Sequence, residues 1–154
     1  MRIALAGAGA FGLKHLDALA RIDGAEVVAV VSRRLDQARD AAQRYGVAAA
    51  TTDLDEVLAD GSVDAVILCT PTQLHAAQAI AAMRAGKHVQ VEIPLADRLD
   101  EARAVLDVAH ESGLTCMVGH TRRFNPSHHW LHQRIATGEL AIQQMDVQTY
   151  FFRR

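Results

Sequence analysis

Short β-branched runs alternate with longer segments of helical spacing along this 154-residue chain. The apolar runs are four to seven residues long, as strands buried on both faces are. Strands are predicted near residues 2–6, 26–31, 47–50, 63–69, 87–92 and 114–118, and helices near 11–21, 35–45, 54–59, 73–85, 98–112 and 126–137. Strictly alternating elements imply a parallel sheet flanked by helices. Right-handed crossovers then give an α/β, doubly wound Rossmann sheet of order 3-2-1-4-5-6, with ligands at the carboxyl ends of its strands.

The first strand runs straight into Gly7-Ala8-Gly9-Ala10-Phe11-Gly12. Strand, G-x-G-x-x-G, then helix is the fingerprint of dinucleotide binding. Gly7 permits the tight turn, Gly9 lets a pyrophosphate approach the backbone, and Gly12 lets the helix lie close on the strand. The free N–H groups and positive dipole end of that helix, from Ala10 and Phe11 onward, face the phosphates.

Twenty residues after Gly12, the second strand ends in Ser32-Arg33-Arg34. An acidic residue here bonds the ribose hydroxyl of NAD, whereas a small hydroxyl beside guanidinium groups suits the 2′-phosphate of NADP. Arginines at a strand end also serve simply to solvate a loop. Following this glycine loop, they point to NADP as the cofactor.

Half of the residues are hydrophobic, 22% are charged and the net charge is −2, which suits a globular domain and excludes the basic excess of a nucleic-acid binder. The apolar runs are too short for a membrane span and no signal-peptide pattern is present, so the cytoplasm is the expected location. The two cysteines, Cys69 and Cys116, stand in apolar runs and read as reduced thiols.

Other chemistry gathers where strands end. Cys69-Thr70-Pro71-Thr72-Gln73-Leu74-His75 follows the fourth strand, with Pro71 stopping it and Thr72 placed to cap the next helix. This loop is expected to pass beside the cofactor. Glu92-Ile93-Pro94 follows the fifth strand, and Gly119-His120-Thr121-Arg122-Arg123-Phe124 the sixth. His128 and His132 share a helix face at a spacing that can hold zinc. No cysteine or carboxylate ligand accompanies them in a motif and hydride transfer needs no metal, so none is expected.

Gly7 to Gly12, Thr70-Pro71 with His75, Ala85-Gly86-Lys87-His88-Val89, Glu92 with Pro94, and Gly119-His120 with Arg122-Arg123-Phe124 occur in this order. Together they resemble the N-terminal part of the glucose-fructose oxidoreductase, inositol dehydrogenase and MocA family. The strings from Val89 to Asp97, Cys116 to His128 and Glu139 to Phe152 resemble a branch of semialdehyde dehydrogenases from aromatic-ring catabolism. The resemblance implies an NADP-dependent oxidation of a small dicarboxylate in its cyclic hemiacetal form. It also implies a cofactor site drawn from Gly7, Gly9, Ala10, Phe11, Gly12, Ser32, Arg33, Arg34, Cys69, Thr70, Pro71, Gln73, His75, Glu92 and Ile93.

Most family members carry a catalytic lysine where this chain has Ile93, and an aliphatic side chain can neither donate a hydrogen bond nor take a proton. A hemiacetal hydroxyl must still lose its proton, so His120 or His75 is the candidate base, and Arg122 or Arg123 the candidate holder of a substrate carboxylate. The loss of lysine keeps open a non-catalytic, NADP-binding regulatory module, and it disfavours a sugar or inositol dehydrogenase.

The expected organisation is a nucleotide domain over residues 1–120, a connecting helix over 121–140, and over 141–154 the first strand of an α+β substrate and dimerisation domain. Residues 142–152 alternate aromatic and β-branched with polar positions, as a half-exposed strand does. The family is much longer than this chain, so a partial sequence is expected, with homo-oligomers forming through the remaining domain.

Overall fold

In the computed structural model, residues 1–148 are described. Two compact units appear, Met1–Gly119 and His120–Arg154. In the first unit the order is β1 (Arg2–Ala6), α1 (Ala10–Leu19), β2 (Glu26–Val31), α2 (Leu35–Tyr45), β3 (Ala49–Thr51), α3 (Leu54–Ala59), β4 (Ala65–Leu68), α4 (Thr72–Arg84), β5 (His88–Val91), α5 (Leu99–Ser112) and β6 (Cys116–Val118). The strands form a six-stranded sheet of order β3-β2-β1-β4-β5-β6, parallel throughout. The doubly wound sheet read from the chain is therefore the observed one.

Successive side chains on a strand point to opposite faces, so a sheet clothed by helices on both sides needs apolar residues at every position. β1 meets this with Ile3 and Leu5 in one core and Ala4 and Ala6 in the other. One core joins Leu16 and Leu19 of α1 to Ala38, Ala41 and Ala42 of α2. The other gathers Val57 and Leu58 of α3, Ala79 and Met83 of α4, and Val105 and Val108 of α5. Alanines at the sheet-facing positions let the helices lie close, and ladder partners such as Leu5 with Val30 and Ile67 hold the strands in register.

One charged side chain lies inside this unit. Lys87 is buried, and its Nζ donates to the carbonyls of Asp60, at 2.7 Å, and Val63, at 2.8 Å. A buried ammonium is tolerable only with such partners, and here it ties the turn after α3 to the start of β5.

Two sequence expectations shift in this unit. Thr72 does not cap α4: Pro71 occupies the cap position with φ −59° and ψ 142°, and Thr72 is already the first helical residue. Proline's fixed φ suits this extended cap backbone, and the helix begins one residue earlier than expected. The third strand lies at Ala49–Thr51, because pairing with Ala29, Val30 and Val31 selects those residues.

The second unit contains a 3-10 turn (Thr121–Phe124) and α6 (Pro126–Ala136), with Asn125 accepting from Ser127 N–H at the helix start. The strand expected over 142–152 is not formed where it is described: Ile142–Gln148 has no strand, and residues 149–152 lie outside the described residues. A strand with one apolar face needs a sheet to pair with, and none of the described residues supplies it.

Leu5 is fully buried between its ladder neighbours. Leu5→Ala is expected to destabilise the fold by about 2–5 kcal/mol, measured as a lowered urea midpoint with an unchanged slope.

Candidate functional site

The site is assembled at the carboxyl ends of β1, β2 and β4. Gly7 has φ +103°, and a Cβ there would fall 2.4 Å from the Cys69 carbonyl oxygen. A Cβ on Gly12 would fall 1.9 Å from the Gly7 carbonyl oxygen, so α1 crosses the turn in contact with its backbone. Gly9 differs: nothing lies within 4 Å of its Cβ position, and no side chain caps α1 there. The first intrahelical bond is Leu13 N–H to Gly9 C=O at 3.0 Å, which leaves the N–H groups of Ala10, Phe11 and Gly12 without helical acceptors. A turn closed to side chains, an open approach at Gly9 and unclaimed helix N–H groups together fit a pyrophosphate.

A cavity of about 480 Å³ adjoins this turn, lined among others by Gly7, Gly9, Ser32, Arg33, Thr70 and Leu74. The residues at the end of β2 divide their roles in a way the sequence did not show. Ser32 is buried and its hydroxyl donates to Gln37 Oε1 at 2.8 Å, while Gln37 Nε2 donates to the Ala8 carbonyl at 3.0 Å. Its hydroxyl therefore braces the glycine loop instead of presenting itself to a ribose. Gln37, which faces back from the first turn of α2, carried no signal beyond its five-residue spacing from Ser32.

Arg34 also departs from the expected role. Its guanidinium is bonded to Asp36, with Nε to Oδ1 at 3.1 Å. The Arg34 bond, then the Gln37 N–H, hold the Asp36 carboxyl below its usual range. Arg34 is not among the residues lining the cavity, whereas Arg33 is exposed, lines it, and has no hydrogen-bond or ion-pair partner among the described residues. Of the two arginines, Arg33 is thus the one whose guanidinium is left facing the cavity.

The loop after β4 is held by His75, the candidate base that the structure removes. His75 is 1% exposed. Its Nδ1 faces the Pro94 carbonyl and its Nε2 the Thr70 carbonyl, each at 2.7 Å. With both nitrogens enclosed by carbonyls, the ring cannot exchange a proton with a substrate; it staples the β4 loop to the loop after β5. Thr70 Oγ1 donates to Gln78 at 2.5 Å. Gln73 is exposed and is absent from the cavity lining, where Leu74 and Gln78 stand instead, because the first turn of α4 rotates it outward.

Cys69 is half-buried and free. Desolvation, then the charge of Glu92, pushes its thiol up to about 12, so it remains protonated and is no nucleophile. Burial likewise raises the Cys116 thiol. Glu92, also half-buried, accepts a hydrogen bond from His15 Nε2 at 2.7 Å. Sequence reasoning passed over His15; its signal was its position three residues after Gly12, on the helix face that meets the sheet. Ile93 is half exposed.

In the second unit His120 and Arg123 are exposed, and Arg122 and Arg123 line a cavity of about 280 Å³ with His128, His129 and His132. His129 Nε2 lies 2.8 Å from Gln133 Nε2. Among the described residues, the side chains of metal-binding type gathered within 4.8 Å are His15, Cys69 and Glu92, not the helical histidines.

A doubly wound parallel sheet with a closed glycine turn, bare helix N–H groups and a cavity along its carboxyl edge defines a Rossmann nucleotide-binding oxidoreductase domain. Residues 1–120 match the model described as the oxidoreductase family with an NAD-binding Rossmann fold, and residues 126–154 match that of bacterial oxidoreductases, C-terminal. The chain belongs to this glucose-fructose oxidoreductase, inositol dehydrogenase and MocA family.

It is 68% identical, over all of its 154 residues and 49% of the relative, to 4-carboxy-2-hydroxymuconate-6-semialdehyde dehydrogenase of Sphingobium sp. (strain NBRC 103272 / SYK-6). Over 91% of its length, and 41% of the relative, it is 36% identical to scyllo-inositol 2-dehydrogenase (NAD(+)) of Bacillus subtilis (strain 168). KijD10, a 3-ketoreductase from Actinomadura kijaniata solved with TDP-benzene and NADP, superposes with a TM-score of 0.82 at 32% identity, covering 90% of this chain and 44% of that one. The chain spans about half the length of the curated relatives it matches. A nicotinamide cofactor follows from the family; its relatives use both forms. Among the described residues no helix is long and apolar enough to cross a membrane.

Two glycine substitutions separate packing from binding. Gly12→Ala is expected to lower stability by about 3 kcal/mol and to abolish nucleotide binding. Gly9→Ala is expected to leave the melting temperature unchanged while weakening binding, both checked by thermal melts and nucleotide titration.

Proposed function

We propose that this chain is the cofactor-binding part of an NADP-dependent dehydrogenase that oxidises 4-carboxy-2-hydroxymuconate-6-semialdehyde, as its cyclic hemiacetal, to 2-pyrone-4,6-dicarboxylate. The observation that carries this reading is the 68% identity, spread over the whole chain, with the dehydrogenase of that substrate. The bound nicotinamide supplies the hydride acceptor. The hemiacetal carbon gives up its hydride, the hydroxyl on it gives its proton to a base, and the carbon becomes the lactone carbonyl.

The residues of this chain divide the remaining work. Gly7, Gly9 and Gly12, with the N–H groups of Ala10 and Phe11, receive the pyrophosphate. Arg33 meets the 2′-phosphate, on a strand end that Ser32 and Gln37 hold against the glycine loop. Arg122 and Arg123 pair with substrate carboxylate, which two guanidinium forks can grip in bidentate fashion. His120 is the proton acceptor this chain offers: it is exposed, and its ring has no partner among the described residues. The free thiols of Cys69 and Cys116 suit the reducing cytoplasm, and homo-oligomers form through the rest of the C-terminal domain.

Ile93 in place of the family's lysine favours a second reading, a regulatory module that binds NADP without turnover. Absorbance of NADPH separates the two when the intact protein meets the ring-cleavage product of protocatechuate. The dehydrogenase produces NADPH with that product and not with glucose or inositol; binding of NADPH without turnover of any of the three supports the module. Arg122→Ala and Arg123→Ala are expected to raise KM for the semialdehyde about tenfold or more, and an unchanged KM in both removes their role.

A further inference from the structure

Ser32, Arg33, Gln37 and Thr52 line the cavity beside the glycine loop, on the β2 and β3 side where the adenosine ribose of a dinucleotide belongs. NADP and NAD differ there by one group. A 2′-phosphate, whose oxygens only accept hydrogen bonds, stands where NAD has a hydroxyl. A carboxylate at this place would favour NAD, but among the described residues none lines the cavity. The nearby acids are engaged: Asp36 by Arg34, Asp53 as the cap of α3, and Glu56 by the Thr51 hydroxyl at 2.9 Å. Discrimination between the two cofactors therefore turns on which donors the protein leaves facing the ribose.

The end of β2 carries two side chains that can donate, and they are not equally available. The Arg33 guanidinium has no partner among the described residues, whereas the Ser32 hydroxyl has a single proton whose direction is fixed from α2. A backbone carbonyl can only accept, so the Gln37 atom 3.0 Å from the Ala8 carbonyl is the amide nitrogen. The amide oxygen is then the atom 2.8 Å from Ser32 Oγ, and the hydroxyl proton lies between them. Ser32 is 6% exposed, and its N–H is bonded to the Thr51 carbonyl at 3.1 Å, so the hydroxyl is held where it stands. Toward the cavity it presents lone pairs, which can receive a ribose hydroxyl and cannot serve a phosphate.

We infer that Gln37 is a specificity-determining residue of the cofactor site: by taking up the Ser32 proton it lowers the preference for NADP over NAD that Arg33 creates. With the amide removed, the hydroxyl is free to turn and donate to the 2′-phosphate beside Arg33. The bond from Gln37 to Ala8 acts on a different part of the ligand. It braces the loop around the pyrophosphate, which both cofactors share, so its loss weakens both alike and cancels in the ratio of their affinities. The inference rests on the proposed nicotinamide cofactor, with Arg33 at its 2′-phosphate, and is independent of which substrate is oxidised.

The test is a titration of the intact protein with NADPH and with NADH by fluorescence, and with the oxidised forms by calorimetry. Gln37→Leu, similar in size and without polar atoms, is expected to raise the NADP-over-NAD affinity ratio about tenfold, the effect of one hydrogen bond to a charged group. Ser32→Ala is expected to leave the ratio within about twofold of wild type, since Ser32 gives the phosphate no proton. The double variant Ser32→Ala/Gln37→Leu is expected to return the ratio to that of Ser32→Ala. Thermal melts check that each variant is folded; if Gln37→Leu is not, Ser32→Ala decides.

A ratio unchanged in Gln37→Leu, a rise that persists in the double variant, or a tenfold fall in Ser32→Ala overturns the inference while leaving the NADP reading intact. A wild type that prefers NAD removes the NADP assignment, and the change in ratio on Gln37→Leu then decides the inference. Binding of neither cofactor overturns both.

Discussion

The site depends on one close approach, the crossing of α1 over the end of β1 at Gly12 and Gly7. There the helix runs so near the turn that no side chain fits between them. This contact aims the bare N–H groups of Ala10, Phe11 and Gly12 along the sheet's carboxyl edge, where a ligand lies at the point of strand reversal. It also brings His15, one turn further on, down to the end of β5. A looser crossing would move phosphate cradle and acid–base pair together, because both ride on the same rigid helix.

The edge so formed is electrostatically divided. On the β2 side Arg33 is a cation without a partner among the described residues, while Arg34 is held by Asp36. On the β4 and β5 side stands the half-buried Glu92, hydrogen-bonded to His15, and its charge reinforces burial in keeping the Cys69 thiol protonated. A dinucleotide lying across such an edge would place phosphate at the cationic end and the ring near the anionic one. The loops between are stiffened from beneath: His75 joins the β4 and β5 loops, and Gln37 ties α2 to Ala8.

That division explains how a chain without the family's lysine at Ile93 keeps a chemically furnished cleft. The lysine is replaced by a half-exposed aliphatic side chain, and the polar groups joined nearby are the Glu92 carboxyl and the His15 imidazole. Proton acceptance from substrate, in the proposed reaction, then belongs to a group other than residue 93.

Strand order, helix positions and the glycine turn were legible in the chain, because each is dictated locally: by apolar runs, by the spacing of alanines and leucines on a helix, and by glycines where a Cβ cannot fit. Side-chain roles at the strand ends were not. Ser32 and Arg34 had the right chemistry at the right spacing, yet Gln37 and Asp36 claim them, and nothing in sequence order foretells which of several donors a neighbour will engage. His75 looked like a base until its two carbonyl partners, five and nineteen residues away, enclosed it. His15 and Glu92 are 77 residues apart. Such a pairing is a product of topology, which sets α1 beside β5 only once the sheet has closed in the order 3-2-1-4-5-6. The sequence alone determined which backbone could form and where a nucleotide could lie; the folded structure decided which side chains are free to meet it, since a hydrogen bond already made within the protein is unavailable to a ligand.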